Sequence, residues 1–259
     1  MEPDSTYSPI ARTLRGPAAG AGRAASEPPR PGRASLHEAT AARPFDAAAT
    51  AFVLAALPET GAPVLWVQDR LSRREGGRLY LPGSGKPALR VPILRVEVSH
   101  PRDVLWAMEE GAACGSLAAV VGEIHGDPAV LDFTATKRLA LRSDASGVPV
   151  WLIRAGGAAG LSAARERWRL TARPSAAHPH DPDAPGEPIW EAELFRARSR
   201  PPGVWEARHE RLGEPARGPG RGDRAGAGGR TPDRLRLVPP SRDRALASGH
   251  EPGPRAARA

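Results

Sequence analysis

Short, continuous apolar runs alternate with helically patterned segments through the middle of this chain, and that alternation limits what it can fold into. Val64–Val67 (VLWV), Ile93–Val98 (ILRVEV), Leu117–Val121 (LAAVV) and Val148–Ile153 (VPVWLI) are the kind of run shown by strands buried on both faces. Ala47–Leu57 (AAATAFVLAAL) reads as an apolar helix stopped by Pro58 and Gly61. A second helix follows the Ile93 run. It has Ser99 or His100 near the cap, Pro101 in the first turn, Asp103 close behind, and Val104, Leu105, Met108 and Ala112 at helical spacing toward a stop at Gly115. Asp132–Ser146 reads as a third helix, closed by Gly147. Strands alternating with helices of this length predict an α/β domain with a mostly parallel sheet covered on both faces.

The C-terminal part changes character. Trp168–Thr171, Ile189–Arg196, Val204–Arg208 and Leu235–Val238 are short and punctuated by turn residues, which predicts an antiparallel β extension. The expected organisation is an α/β core over 35–173 and a β extension over 174–245. Pro174–Pro188 is a linker at its start, and a disordered insertion covers 211–232. The flanks 1–34 and 246–259 are rich in Pro, Gly, Ala and Arg and carry too few large apolar residues to offset the cost of ordering, so they are expected to be disordered tails. Charge separates the middle of the chain from its ends. Residues 45–195 hold 16 Lys/Arg against 18 Asp/Glu, whereas 1–44 hold 6 against 4 and 196–259 hold 15 against 7. Residues 1–44 and 196–259 therefore carry +10 together and the middle −2, which makes the net +8 of the 259 residues. Basic flanks attract nucleic acid through counterion release, and they are equally what a solvated, arginine-coded linker looks like. Cys114 is the only cysteine, so neither a disulfide framework nor a Cys-based zinc site is available. Without an 18-residue apolar run or an apolar leader core, no membrane insertion or export is expected, and a cytoplasmic protein is the expectation.

Four strings carry a resemblance: VLWVQDRLSRREGGRLYLPG (64–83), VSHPRDVLWAMEEG (98–111), AAVVGEIHGDPAVLDFTATKRLALRS (118–143) and GVPVWLIR (147–154). LSAARERWRL (161–170) and WEAELFRARS (190–199) continue it. Over about residues 35–245 the chain resembles the ImuA family, RecA-like accessory proteins of bacterial mutasomes. The resemblance implies a RecA-like sheet and a role in SOS mutagenesis, the DNA damage response that supports error-prone translesion synthesis in DNA repair. It implies assembly with a Y-family-like polymerase subunit (ImuB type) and an error-prone replicative-type DNA polymerase, with RecA as a further candidate partner and nucleoid association in the cytoplasm. None of this follows from composition or periodicity.

A RecA-like ATPase needs a G-x-x-x-x-G-K-[ST] loop between its first strand and first helix, where backbone N–H groups and a lysine hold phosphates and a hydroxyl holds Mg²⁺. Here the stretch between Ser35–Glu38 (SLHE) and the Ala47 helix reads ATAARPFDAAAT. It has no glycine and no lysine, and it puts Pro44 and Asp46 where a phosphate needs donors and positive charge. Pro82–Arg90 (PGSGKPALR) contains Gly-x-Gly-Lys, but Lys86 is followed by Pro87 and no helix pattern follows, so a surface loop is expected. Three residues remain as candidate remnants of a nucleotide site. Thr50 lies on the first helix, Asp69 just past the Val64 strand, and Glu123 where a Walker-B aspartate would sit. The resemblance without its loop implies a binding protein with no cofactor and no catalytic residue; an ATP-dependent enzyme acting on DNA is the rival, and a basic DNA-binding regulator a third reading. The connections where RecA grips DNA are short here (His125–Leu131 and Ala155–Gly160), which leaves any DNA contact to the Arg-rich tails or to Arg196, Arg198 and Arg200. His125 and Asp127 invite a metal or proton-transfer reading, but no histidine spacing fits a metal site and a turn is the plainer reading. Among six tryptophans, Trp66 and Trp151 fall in strands and are expected in the core. Trp106 lies off the apolar stripe of its helix and is the candidate interface anchor.

Overall fold

In a computed structural model of the chain, residues 33–43, 46–58, 60–79, 92–157, 160–178, 180–209 and 235–240 are described. They form nine strands and four helices. In chain order these are β1 (Leu36–Ala41), α1 (Ala48–Ala56), β2 (Val64–Gln68), α2 (Arg70–Gly76), β3 (Ile93–Glu97), α3 (Pro101–Ala112), β4 (Ala119–His125), α4 (Phe133–Ser146), β5 (Val150–Ala155), β6 (Glu166–Arg173), β7 (Ile189–Ala197), β8 (Gly203–His209) and β9 (Leu235–Val238). All strands belong to one sheet, ordered β3-β2-β4-β5-β1-β6-β7-β8-β9. From β3 to β6 every pairing is parallel, and β6–β7, β7–β8 and β8–β9 are antiparallel. The mostly parallel α/β sheet with an antiparallel C-terminal part is therefore as the sequence predicts. The stretch 174–188 joins two neighbouring strands, and its arms meet at an Ala177–Pro185 bridge.

Local chemistry explains the helix ends. Asp132 caps α4, its carboxylate accepting from Ala135 N at 2.7 Å, and Gly147 ends the helix at φ 79°, a left-handed conformation that glycine adopts without strain. His100 is extended and Pro101 opens α3 with a ring already at helical φ. That helix ends at Ala112, three residues before Gly115, the expected stop.

Two cores form because strand side chains alternate between faces. The connection β1→β2 crosses the sheet in the opposite direction to β3→β4 and β4→β5. Right-handed crossovers then put α1 on one face and α3 and α4 on the other. Under α1, Phe52 packs edge-on to Trp151 and tilted against Trp168, and Trp66, Val121, Leu170 and Leu194 complete the layer. Under α3 and α4 lie Leu36, Val67, Val120, Ile124, Val150 and Leu152. Gly122 of β4 lets α3 approach closely, since a Cβ there would meet Met108 Sδ at 2.1 Å. Trp66 and Trp151 are fully buried, as expected of core residues.

One expectation fails. The Ile93 run is not a fully buried strand: β3 is the edge of the sheet, paired only with β2, and Leu94 is 50% exposed. Its apolar side chains are divided, with Ile93 packing against one core and Val96 against the other, so a short apolar run mimics full burial.

Candidate functional site

The carboxyl ends of β1, β2, β4 and β5 and the N-terminus of α1 surround a cleft of about 630 Å³. A cleft in this place is where open α/β sheets bind ligands, and its size suits a small molecule. Thr40, Arg43, Asp46, Thr50, Gln68, Ser72, Glu75, Arg78, Glu123, His125 and Arg154 line it.

At its centre α1 begins with no side chain from its cap residue, Ala47. Asp46, one residue earlier, supplies the missing acceptor: its Oδ1 accepts from Ala48 N at 2.8 Å, while its Oδ2 accepts from Ala172 N of β6 at 3.2 Å. The positive end of the helix thus receives the chain's own carboxylate where a bound anion would sit. This is the position at which the sequence lacks a phosphate loop.

The three candidate remnants separate. Thr50 and Glu123 line the cleft; Asp69 does not. Asp69 is fully buried and caps α2, accepting from Ser72 N at 2.7 Å. Glu123 accepts a 2.7 Å hydrogen bond from Trp66 Nε1, and Ser72 Oγ donates to its backbone carbonyl at 3.0 Å. Burial pushes the Glu123 carboxyl above the ordinary glutamate range; hydrogen bonds from Gln68 and Trp66 pull it down, and the nearby Asp69 charge pushes it up.

The cations of the cleft are mostly engaged. Arg154 binds Asp127 at 2.6 Å, and Arg78 binds Glu97 at 2.9 Å. Asp127 thus pairs with Arg154, while His125 packs on Gly156, where a Cβ would meet its ring at 2.7 Å. Among the described residues no group of three or more His, Cys, Asp or Glu could hold a metal ion. The Gly-x-Gly-Lys stretch with Lys86 lies outside the described residues, as do the insertion 211–232 and the greater part of both flanks.

The interface candidates lie elsewhere. Trp106 is 66% exposed on α3, beside a shallow cleft of about 350 Å³ between α3 and the start of α4, which Arg138 and Glu109 bridge at 2.9 Å. Arg196 is in β7, and Arg198 and Arg200 follow its end. Arg196 and Arg198 are exposed and Arg200 is half-buried.

Sequence reasoning missed three features. One is α2, whose signals were an Asp69-x-x-Ser72 cap and the Gly76–Gly77 pair behind it. Another is Gln68, a fully buried amide on the cleft wall whose Nε2 donates to Gly77 O at 3.1 Å. The third is a pair of buried polar contacts between β1 and β6. Glu38 Oε2 accepts from Arg167 Nε at 2.7 Å, and His37, stacked on Trp151, points Nδ1 at Glu166 Oε2 from 3.4 Å. Both pairs are direct register partners, Glu38 opposite Arg167 and His37 opposite Glu166, a pairing that no signal in the sequence gives.

No helix among the described residues is long and apolar enough to cross a membrane. No protein-family model matches the chain, and no curated protein sequence does so either.

Proposed function

We propose that this protein is a non-catalytic accessory subunit of an SOS-induced mutasome, a RecA-like domain used for its surface. On this reading it binds a Y-family-like polymerase subunit of ImuB type, which brings it to an error-prone replicative-type polymerase during translesion synthesis, in the cytoplasm at the nucleoid. The resemblance of its sequence strings to the ImuA family motivates the reading. The observation that carries it is Asp46, whose carboxylate takes one of the α1 N-terminal donors that a nucleotide phosphate would use. With that donor satisfied, and with aspartate's negative charge in the slot, the cleft opposes phosphate rather than attracting it.

The test is co-purification of the full chain with the polymerase-like subunit, alongside calorimetry with ATP and Mg²⁺ at millimolar nucleotide. A stable complex with no nucleotide heat is expected. Failure to form a complex with a folded partner would sink the reading, and ATP binding would favour the rival, a nucleotide-dependent enzyme. Trp106→Ala serves as the interface probe. An exposed side chain like this one contributes under about 0.5 kcal/mol to folding, whereas a buried interface anchor contributes about 2 kcal/mol or more to binding. The complex should weaken at least tenfold with no change in unfolding temperature.

A further inference from the structure

Strands β6 and β7 arrange charge in two opposite ways along their length. Toward one end, partners across the strands have opposite signs: Arg169 faces Glu193 and binds it at 2.7 Å, and Arg173 binds Glu191. At the other end they are alike. Arg196 lies directly opposite Arg167, and Arg198 N donates to the carbonyl of Arg165 at 3.0 Å. Like charges set opposite each other destabilise a sheet.

Two of these four arginines are neutralised from neighbouring elements. Arg165 binds Asp144 of α4 at 2.7 Å, and Arg167 binds Glu38 of β1. Arg196 and Arg198 are exposed, and neither makes an ion pair among the described residues. A β-bulge reinforces the arrangement. The register shifts between Arg167 and Trp168, which makes Phe195 the extra residue of β7, and the Arg167 and Arg169 guanidiniums lie 5.2 and 4.9 Å from its ring centre. The ring holds those two arginines in place.

We propose that Arg196 and Arg198 form a binding site for the phosphate backbone of nucleic acid, engaged without base stacking. Guanidinium forks match phosphate oxygens two at a time. A polyanion also fits the surroundings better than an acidic peptide does. Residues 196–259, which begin at this site, hold 15 Lys/Arg against 7 Asp/Glu, a composition that favours a long polyanion. Neither cleft described above is lined by β7. Phe195 is half-buried, and its ring lies against the Arg167 and Arg169 guanidiniums, so the site proposed is the two free arginines and not the ring.

The site is independent of the mutasome reading and is tested on the full chain alone. Fluorescence anisotropy is read with a dye-labelled oligothymidine and with a duplex of equal length. The expected result is salt-sensitive binding to at least one probe, weakened tenfold or more by the double variant Arg196→Glu/Arg198→Glu. The salt slope should fall by roughly 1.4 for the single strand or roughly 1.8 for the duplex, two phosphate contacts' worth. Glutamate at 196 faces Arg167 as an opposite charge, so the unfolding temperature should hold or rise, which separates lost binding from lost folding. The proposal is overturned if neither probe binds, or if the double variant binds as tightly as the parent chain. It is also overturned if binding is lost only when Arg211, Arg217, Arg221, Arg224 and Arg230 are changed to serine, or if a polyglutamate peptide competes as well as the oligonucleotide.

Discussion

Replacing Asp46 by alanine isolates the group that fills the α1 terminus. Its carboxylate makes two backbone contacts, one to Ala48 N at 2.8 Å and one to Ala172 N at 3.2 Å, so it also ties the helix start to β6. Loss of a helix-terminal acceptor costs about 1 kcal/mol, and an unpartnered amide from the second bond adds about 1 kcal/mol. Asp46→Ala should therefore lose about 2 kcal/mol, the sum of those two effects. In a domain of this size that lowers the unfolding temperature by roughly 4–8 °C. Asp46→Asn keeps one acceptor oxygen and should lose about half as much. Urea denaturation with tryptophan fluorescence measures both, with the m-value held constant as the check on two-state behaviour. Sulfate or ATP at 10 mM (roughly) should leave the parent chain's midpoint unchanged, because a ligand stabilises only the state it binds. An Asp46→Ala variant within 0.5 kcal/mol (roughly) of the parent chain would refute the capping argument, and stabilisation of the parent chain by ATP would refute the idea of an occupied anion slot.

Two further perturbations bear on buried charge. Glu38→Gln leaves the Arg167 guanidinium buried beside a neutral amide and should cost about 3–5 kcal/mol, whereas Glu38→Leu with Arg167→Met should recover most of the loss; equal stability of the single variant and the parent chain in urea counts against the pair. Glu123 gives a pH signature. Its folded carboxyl binds its proton more tightly than an unfolded glutamate, so its contribution is fully present below about pH 4.3 and is lost as pH rises through the raised folded value. Glu123→Gln should therefore gain stability relative to the parent chain between pH 4 and 8 (about), and a difference that is flat or of opposite sign in paired urea titrations refutes it.

The parallel half of the fold was legible because its signals are local. Pro101 and Asp132 mark helix starts, and Gly147 marks an end; runs such as Val64–Val67 and Val148–Ile153 are apolar because both sheet faces are covered. The exposure of β3 was not legible, since a run divided between two cores at an edge has the same composition as one buried between helices. At the cleft, the sequence placed Asp46 where phosphate should bind, but only the structure shows the carboxylate satisfying the helix. Asp69 and Glu123 looked equivalent as strand-end carboxylates. Which one faces the cleft depends on α2, a helix too short for periodicity to reveal. The contacts between β1 and β6 were hidden for a different reason: they join residues far apart in sequence, and one strand's alternation says nothing about its neighbour.

The position of β1 in the sheet also sets the order in which the molecule can assemble. Its neighbours on either side are β5 and β6, so Leu36 pairs with Val150, and His37 pairs with Glu166. During synthesis β1 waits for roughly 110 residues before either neighbour exists, on the order of ten seconds at typical translation rates. Until then β2, β3 and β4 can pair among themselves, but the Leu36 and Ala39 faces have no strand to join. Such long-range closure makes for slow folding. The buried Glu38–Arg167 contact needs this closure, so weakening it is expected to speed unfolding more than it slows folding, which stopped-flow kinetics in urea would measure.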